Sequence, residues 1–385
     1  MRFDVAAPRH IAFGPGRVAD VGEAVAALGG HALLVTGATP ERADPVAGRL
    51  ADAGVRTTTV SVDGEPTVAA IEELLATRAA QGGDVVVSVG GGSVLDAGKA
   101  VAALAPAPGP MRRYLEVVGE ARPLEAEPLP HVAVPTTAGT GAEVTRNAVL
   151  GVPEEGVKVS LRDARMVPTR AIVDPELTHG LPRAVTVRTG LDALTQLIEP
   201  FVSPAASPYT DALCREGIPR AARALPRAAD ERAEDVDARG DMALAALLGG
   251  LALANARLGA VHGFAGPLGG VRPAPHGAIC GRLLPLVTEA NLEALRARQP
   301  DAPALERYAE VARLLTGRAE ATAADAVTVL TDLVADLDVP GLSAWGVSEA
   351  DVPPVVAASA RSSSMRGNPI ELTEDERAAI LRRAL

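Results

Sequence analysis

Apolar positions follow two different rhythms along this chain. Over residues 1–180, short apolar runs alternate with stretches whose apolar residues recur at helical spacing. The clearest case is DVVVSVGGGSVLDAGK at 84–99. Four of the five residues 85–89 are valine, and so short an apolar run predicts a strand buried on both faces. Gly90, Gly91 and Gly92 end it, and a helical pattern follows to about residue 104. Strands are also expected at 11–14, His31–Thr36, 55–62, His131–Pro135 and 171–174. Helices are expected at 18–28, before Gly54, and at 67–80, and 105–110 reads as a proline-rich surface loop. This alternation predicts a parallel sheet covered by helices. From about Leu181 the strand runs cease. Helices are expected at 186–202, 208–224, 232–258, 287–298, 304–315, Ala323–Asp336 and 374–385. The chain thus divides near 178–183, into an α/β domain at 1–180 and an all-α domain at 181–385.

Composition narrows the function classes. At 385 residues, with 48% hydrophobic and 22% charged residues, the chain has the balance of an ordinary globular protein. Its net charge of −11 argues against nucleic-acid partners, which require a basic face. An aromatic content of 2% argues against a stacking platform. No apolar run reaches the length of a membrane span, and no signal-peptide core follows Met1, so no membrane partner is expected. Two cysteines, Cys214 and Cys280, are too few for a disulfide framework, which makes the cytoplasm the default location.

The chemistry starts at the glycine loop. Ser93 is placed to cap the next helix, leaving free N–H groups at a loop that suits a phosphate or pyrophosphate. The loop is neither G-x-G-x-x-G nor a P-loop, and a tight turn in an α/β domain is the other reading. The strand His131–Pro135 runs into a second small-residue loop, TTAGTGAE at 136–143, expected beside the first at the strand carboxyl ends. Lys99 and Lys158 are cations that reach toward a phosphate or ribose, or else lie in solvent. Asp192 and Gln196 are four apart on one helix face. His262 is expected near the end of a long helix, and His276 after a loop. An Asp with two His suits Fe²⁺ or Zn²⁺, and an ion there polarises an alkoxide or carbonyl oxygen. The alternative is that each is a separate capping or buried polar residue. His10, His31, His131 and His179 receive no role.

Read together, the motifs resemble one family. GGGSVLDAGKA at 90–100, PTTAGTGAEVTRNAV at 135–149, DPEL at 174–177, TGLDALTQLIEPFVS at 189–203, GAVHGFAGPLGG at 259–270 and PHGAICG at 275–281 follow in order, and NPIELTEDE at 368–376 fits the ending. They resemble the iron-containing, or group III, alcohol dehydrogenases over nearly the whole chain. The resemblance implies a Rossmann-like NAD(P)-binding domain and a helical metal and substrate domain, the dehydroquinate synthase-like architecture. It implies reversible hydride transfer between NAD or NADP and a small alcohol or aldehyde, usually in a homodimer. Gly90, Gly91, Gly92 and Ser93 match the pyrophosphate loop, with Asp96 behind it. Thr136, Thr137 and Thr140 match the second loop, and Asn147, Lys158 and Leu177 match further cofactor contacts. Asp192, His262 and His276 match three metal ligands and are the expected catalytic centre.

Three departures alter the expectations. Gln196 stands where the fourth ligand is usually histidine, and an amide oxygen is a weaker donor. Gly266 stands where a proton-relay histidine is frequent, four residues after His262. Gly37 stands where an aspartate often binds the adenine ribose. Without that carboxylate a 2′-phosphate meets no repulsion, and Arg42 offers a positive partner, so NADP(H) is expected at least as readily as NAD(H). Phe264 and Arg146 are expected to line a small substrate pocket. Gln196 also keeps open a metal-independent enzyme resembling maleylacetate reductase, although Ala138 replaces the tyrosine frequent there. Dehydroquinate synthase-like lyases fit the TTAGTG and DALTQ stretches poorly, and a non-catalytic dinucleotide-binding protein is the remaining alternative.

Overall fold

The computed structural model describes residues 2–77, 82–230 and 235–385. The expected helical residues 78–80 and 232–234 lie outside this range. Val5–Thr137 and Gly141–Gly180 form one compact unit. Leu181–Leu385, with Ala138–Thr140 and residues 2–4, forms the other.

Among the described residues the α/β unit has eight strands: β1 (His10–Phe13), β2 (His31–Thr36), β3 (Arg56–Ser61), β4 (Val85–Gly90), β5 (His131–Pro135), β6 (Asn147–Val152), β7 (Val157–Arg162) and β8 (Arg170–Val173). Six make an all-parallel sheet in the order β1-β8-β5-β4-β2-β3. Its helices are α1 (Val21–Ala26), α2 (Asp44–Asp52), α3 (Val68–Ala76) and α4 (Gly92–Leu104). Side chains of a strand point alternately to the two faces, and each face has its own core. Leu33, Val35 and Val86 pack with α3 and α4 residues such as Ile71 and Val101. Ala32, Leu34, Val85, Val87 and Val134 pack with Val21, Val25, Val46 and Leu50 of α1 and α2. This two-sided burial is why β4 needed valine at nearly every position.

β6 and β7 pair antiparallel as a separate hairpin, which is not among the strands expected above. Burial in β6 alternates, so its apolar run is diluted by half-exposed Asn147, Val149 and Gly151. Gly156 closes the turn with φ of 63°, a conformation that favours glycine.

The second unit contains α5 (Arg183–Val202), α6 (Pro208–Ala228), α7 (Val236–Asn255), α8 (Ala260–Val271), α9 (His276–Arg298), α10 (Pro303–Thr316), α11 (Ala323–Asp336), α12 (Val352–Ser359) and α13 (Glu374–Ala384). Leu191, Leu194, Leu197, Ile198 and Phe201 of α5 are wholly buried at its core. Two expectations are corrected here. The helix expected at 232–258 stops at Asn255, and the chain turns by 96° into α8. The helix expected from 287 begins eleven residues earlier, at His276. Glycine and proline in HGAICGRLLP disfavour helix locally, but packing overrides them. A Cβ on Gly277 would lie 2.0 Å from the Arg188 carbonyl oxygen, and one on Gly281 would lie 2.5 Å from Leu191. Those glycines let α9 press against α5. Among the described residues, no single helix is long and apolar enough to cross a membrane.

Candidate active site

Two loops meet at the carboxyl ends of the central strands. β2 pairs with β4, while β3 lies beyond β2 and β5 beyond β4. The connections therefore diverge between β2 and β4, the place where an open α/β sheet forms its ligand crevice. Gly37 follows β2 there, and Gly91 follows β4. Gly90 pairs with Pro135, and its carbonyl accepts from Thr136 N–H at 2.9 Å, so the second loop starts beside the first.

Ser93 does not cap α4. Gly91 occupies the N-cap, no side chain caps the helix, and Ser93 lies inside the first turn. An anion at this helix start would therefore meet first-turn N–H groups and not a Ser93 cap. None of Gly90, Gly91 and Gly92 has positive φ. Glycine is required by crowding instead: a Cβ on Gly90 would sit 2.6 Å from Val94, and one on Gly91 would sit 3.3 Å from Thr137. Gly98 serves the same end one turn deeper, where a Cβ would meet Ser88 at 2.6 Å.

The other cofactor candidates lie around this loop in different states. Thr136 is buried, and Thr137, Thr140, Asn147 and Leu177 are partly buried. Asp96 accepts from Val149 N–H at 3.0 Å and pairs with Lys99 at 2.9 Å, tying α4 to β6. Lys99 is thereby corrected as a phosphate or ribose contact. Its ammonium is wholly buried between Asp96 and the Thr145 hydroxyl, 2.9 Å away. Lys158 pairs with Glu65 at 2.5 Å. Arg42 is exposed in a helical turn at Pro40–Ala43.

In the helical unit, three elements converge. α5 presents Asp192 and Gln196, the first turn of α8 presents His262, and the first residue of α9 is His276. His262 Nε2 lies 3.3 Å from Asp192 Oδ1, and His276 Nε2 lies 3.7 Å from it. Asp192 is buried, and its Oδ1 has no hydrogen-bond partner. Gln196, one turn on, favours the ionised Asp192 carboxylate, while its own Oε1 is buried and unpartnered.

The structure adds two residues that the sequence reading missed. Glu199 continues the α5 face: its Oε2 is 2.6 Å from His262 Nδ1, and its Oε1 accepts from Val261 N–H at 2.7 Å. It therefore fixes the ring so that Nε2 turns toward Asp192. Cys280 is the other, with Sγ 3.7 Å from His276 Nε2 and 3.9 Å from His262 Nε2. The donor atoms of Asp192, His262, His276 and Cys280 all lie within 4.8 Å of one another. The sequence signals were available, since 192, 196 and 199 share one helical face, as do 276 and 280.

The electrostatics favour a cation. Burial opposes protonation of His276, but neighbouring Cys280 and Asp192 outweigh it and raise its pKa to about 9. His262 is likewise held well above its ordinary value: burial is outweighed by Cys280, Glu199 and Asp192. For Asp192, burial is outweighed by His276, His262 and Gln196, and its pKa is lowered. A field that holds protons on two imidazoles also suits a divalent ion, which binds in exchange for those protons. The orphaned Asp192 oxygen and the nitrogen, oxygen and sulfur donors fit such an ion.

Phe264 is corrected as a pocket residue, since it is wholly buried in the helical core. Arg146 is exposed. Gly266 leaves open space where a side chain would stand.

A glycine loop at a helix start and an acid–imidazole cluster are the two candidate sites on which the comparisons bear. Residues 8–175 match the iron-containing alcohol dehydrogenase family, and residues 186–385 match the C-terminal part of the Fe-containing alcohol dehydrogenase family. The chain is 38% identical to 1,3-propanediol dehydrogenase of Klebsiella pneumoniae over 395 residues, covering 99% of this chain and 98% of that protein. It is 37% identical to alcohol dehydrogenase 4 of Schizosaccharomyces pombe over 325 residues, covering 84% and 74%. A crystal structure of 1,3-propanediol oxidoreductase superposes with a TM-score of 0.92 at 35% identity, covering 100% of both chains. The chain belongs to the iron-containing alcohol dehydrogenase family. It is an oxidoreductase of alcohols and their aldehydes or ketones, and its family implies NAD(P) and a divalent metal. The metal-independent alternative is not favoured.

Proposed function

We propose that this enzyme interconverts a small alcohol and its carbonyl compound through a metal centre on Asp192, His262 and His276, with Gln196 at the fourth family position. The observation that carries this reading is the buried, unpartnered Asp192 Oδ1 between two imidazole nitrogens at 3.3 and 3.7 Å. An ion held by Asp192, His262 and His276 would supply Lewis acidity to the substrate oxygen, and a nicotinamide held by the two loops would supply or accept the hydride. The protein's own part is orientation. Glu199 sets the His262 ring, Gln196 steadies Asp192, and burial strengthens the field on the oxygen. Gly266 carries no side chain able to shuttle a proton.

Gly90, Gly91, Gly92, Ser93 and the N-terminus of α4 are assigned to the pyrophosphate, with Thr136, Thr137 and Thr140 along the phosphates and nicotinamide. Asp96, Asn147, Lys158 and Leu177 complete the cofactor set, Asp96 by holding the loop helix to β6. Gly37 and Arg42 support NADP(H) beside NAD(H). The name of the propanediol relative and the low aromatic content support a short aliphatic substrate. Two unpaired cysteines support a cytoplasmic enzyme, and the family resemblance supports a homodimer.

The test is metal analysis of protein purified without chelator, paired with aldehyde reduction before and after chelation. About one iron or zinc per chain and loss of turnover on chelation are expected. No bound ion, with turnover unchanged by chelator, would overturn the metal mechanism.

A further inference from the structure

We propose that Cys280, not Gln196, supplies the fourth protein donor to the ion, so that the centre is an Asp–His–His–Cys site. The inference rests on the metal-centre reading above and refines its chemistry. His276 opens α9 and Cys280 stands one turn on, which puts both side chains on one helical face. With metal bonds of about 2.0–2.1 Å to nitrogen and 2.3 Å to sulfur, tetrahedral donors sit roughly 3.3–3.6 Å apart. The structure places Sγ 3.7 and 3.9 Å from the two Nε2 atoms, beside Nε2-to-Oδ1 separations of 3.3 and 3.7 Å. Four of the six separations are thus near those of one coordination sphere, and all six are within 4.8 Å. Cys280 itself is wholly buried, so its sulfur faces these groups rather than solvent.

Gln196 has a different task. Toward the Asp192 carboxylate, whose ionised form it favours, the amide can only donate through NH₂, because a carboxylate only accepts. In that role the amide nitrogen steadies a ligand. Its free Oε1 is a neutral donor beside a thiolate, and soft sulfur selects for zinc and similar ions where oxygen does not. The sequence lost an imidazole at one ligand position and carries a thiol within reach of the same ion. A Cys280 thiolate would give the ion a second anionic ligand beside Asp192, where a glutamine gives a neutral one.

Cobalt(II) reports directly on thiolate coordination. Wild-type protein stripped of metal and titrated with Co²⁺ is expected to bind one equivalent and develop an intense near-ultraviolet sulfur-to-cobalt charge-transfer band. Cys280→Ser should lose that band and weaken metal binding by about 100-fold or more, beyond what loss of an outer contact costs. Gln196→Ala should keep the band. One bound cobalt without the band, or a band unchanged in Cys280→Ser, would overturn the proposal and leave the metal-centre reading intact. No stoichiometric cobalt in the wild type would overturn both. Should Cys280→Ser fail to fold, X-ray absorption of zinc-loaded wild type decides alone. One sulfur at about 2.3 Å supports the assignment, and an all nitrogen and oxygen shell refutes it.

Discussion

Replacing Glu199 by Gln keeps the shape of the metal centre and changes only its hydrogen-bond logic. Glu199 is buried, with one oxygen 2.6 Å from His262 Nδ1 and the other accepting from Val261 N–H at 2.7 Å. A carboxylate accepts from both. An amide has a single acceptor oxygen, so its NH₂ must face one of the two donors. If it faces Val261, two donors confront each other in a buried site. If it faces His262, the imidazole must move its proton to Nε2, the nitrogen 3.3 Å from Asp192, and that nitrogen can no longer hold an ion. Either arrangement forfeits a hydrogen bond to a charged group, worth about 1.5–3 kcal/mol. Metal affinity is therefore expected to fall by roughly 10- to 100-fold. The assay is competition for Zn²⁺ against a chromophoric chelator, with thermal melts of the apo proteins as a control on folding. A folded Glu199→Gln protein whose zinc affinity stays within about twofold of wild type would refute the reasoning.

Two further outcomes are expected. Burial raises the Glu143 pKa from 4.5 to about 7, against the opposing pull of its backbone and of Lys99. A raised carboxyl contributes stability below its unfolded pKa and loses that contribution as pH rises through the folded value. Glu143→Gln should therefore gain up to about 3 kcal/mol over wild type at pH above 8, and much less near pH 5, in denaturant melts. An equal difference at both pH values would show that the carboxyl is not titrating there. For cofactor choice, kcat/KM with NADPH is expected at least to equal that with NADH. A Cβ at Gly37 would meet Val94 at an ordinary 3.5 Å, so Gly37→Asp should fold and disfavour NADPH by roughly tenfold through charge repulsion. A strong NADH preference in the wild type would contradict the role given to Gly37.

The sheet was legible because burial on both faces leaves an unmistakable mark. β2 and β5 read directly as apolar runs, and β4 differs only in including Gly90. Helices that expose one side, such as α11, were equally plain. What escaped were segments whose residue choice answers to close packing. α8 and the start of α9 are rich in glycine, which lowers helix propensity but admits a neighbouring backbone, as at Gly277 against Arg188. The same blindness hid the role of Gly90: its value lies in the nearness of Val94, a contact made only once α4 has docked.

The site divides along similar lines. Asp192, His262 and His276 stood out because an acid with two imidazoles suits a divalent ion and because they match the family's motifs. Glu199 and Cys280 did not, although each lies one turn from a recognised residue. A lone buried thiol is usually a small apolar side chain, and a lone glutamate is usually a solvated one. Only the helix arrangement turns them inward, where α5 carries Asp192, Gln196 and Glu199 on one face and meets the amino ends of α8 and α9. Those amino ends explain why the centre sits there. Asn368 Oδ1 accepts from Ala260 N–H at 3.2 Å and from Asn291 at 3.0 Å, and Asn291 also reaches the Tyr308 hydroxyl at 2.9 Å. This buried amide network ties the start of α8 to the middle of α9, and so fixes the two histidines relative to each other before any ion arrives. Preorganisation of that kind would favour cation binding even where the family imidazole has become an amide, because the ligands would need little further ordering.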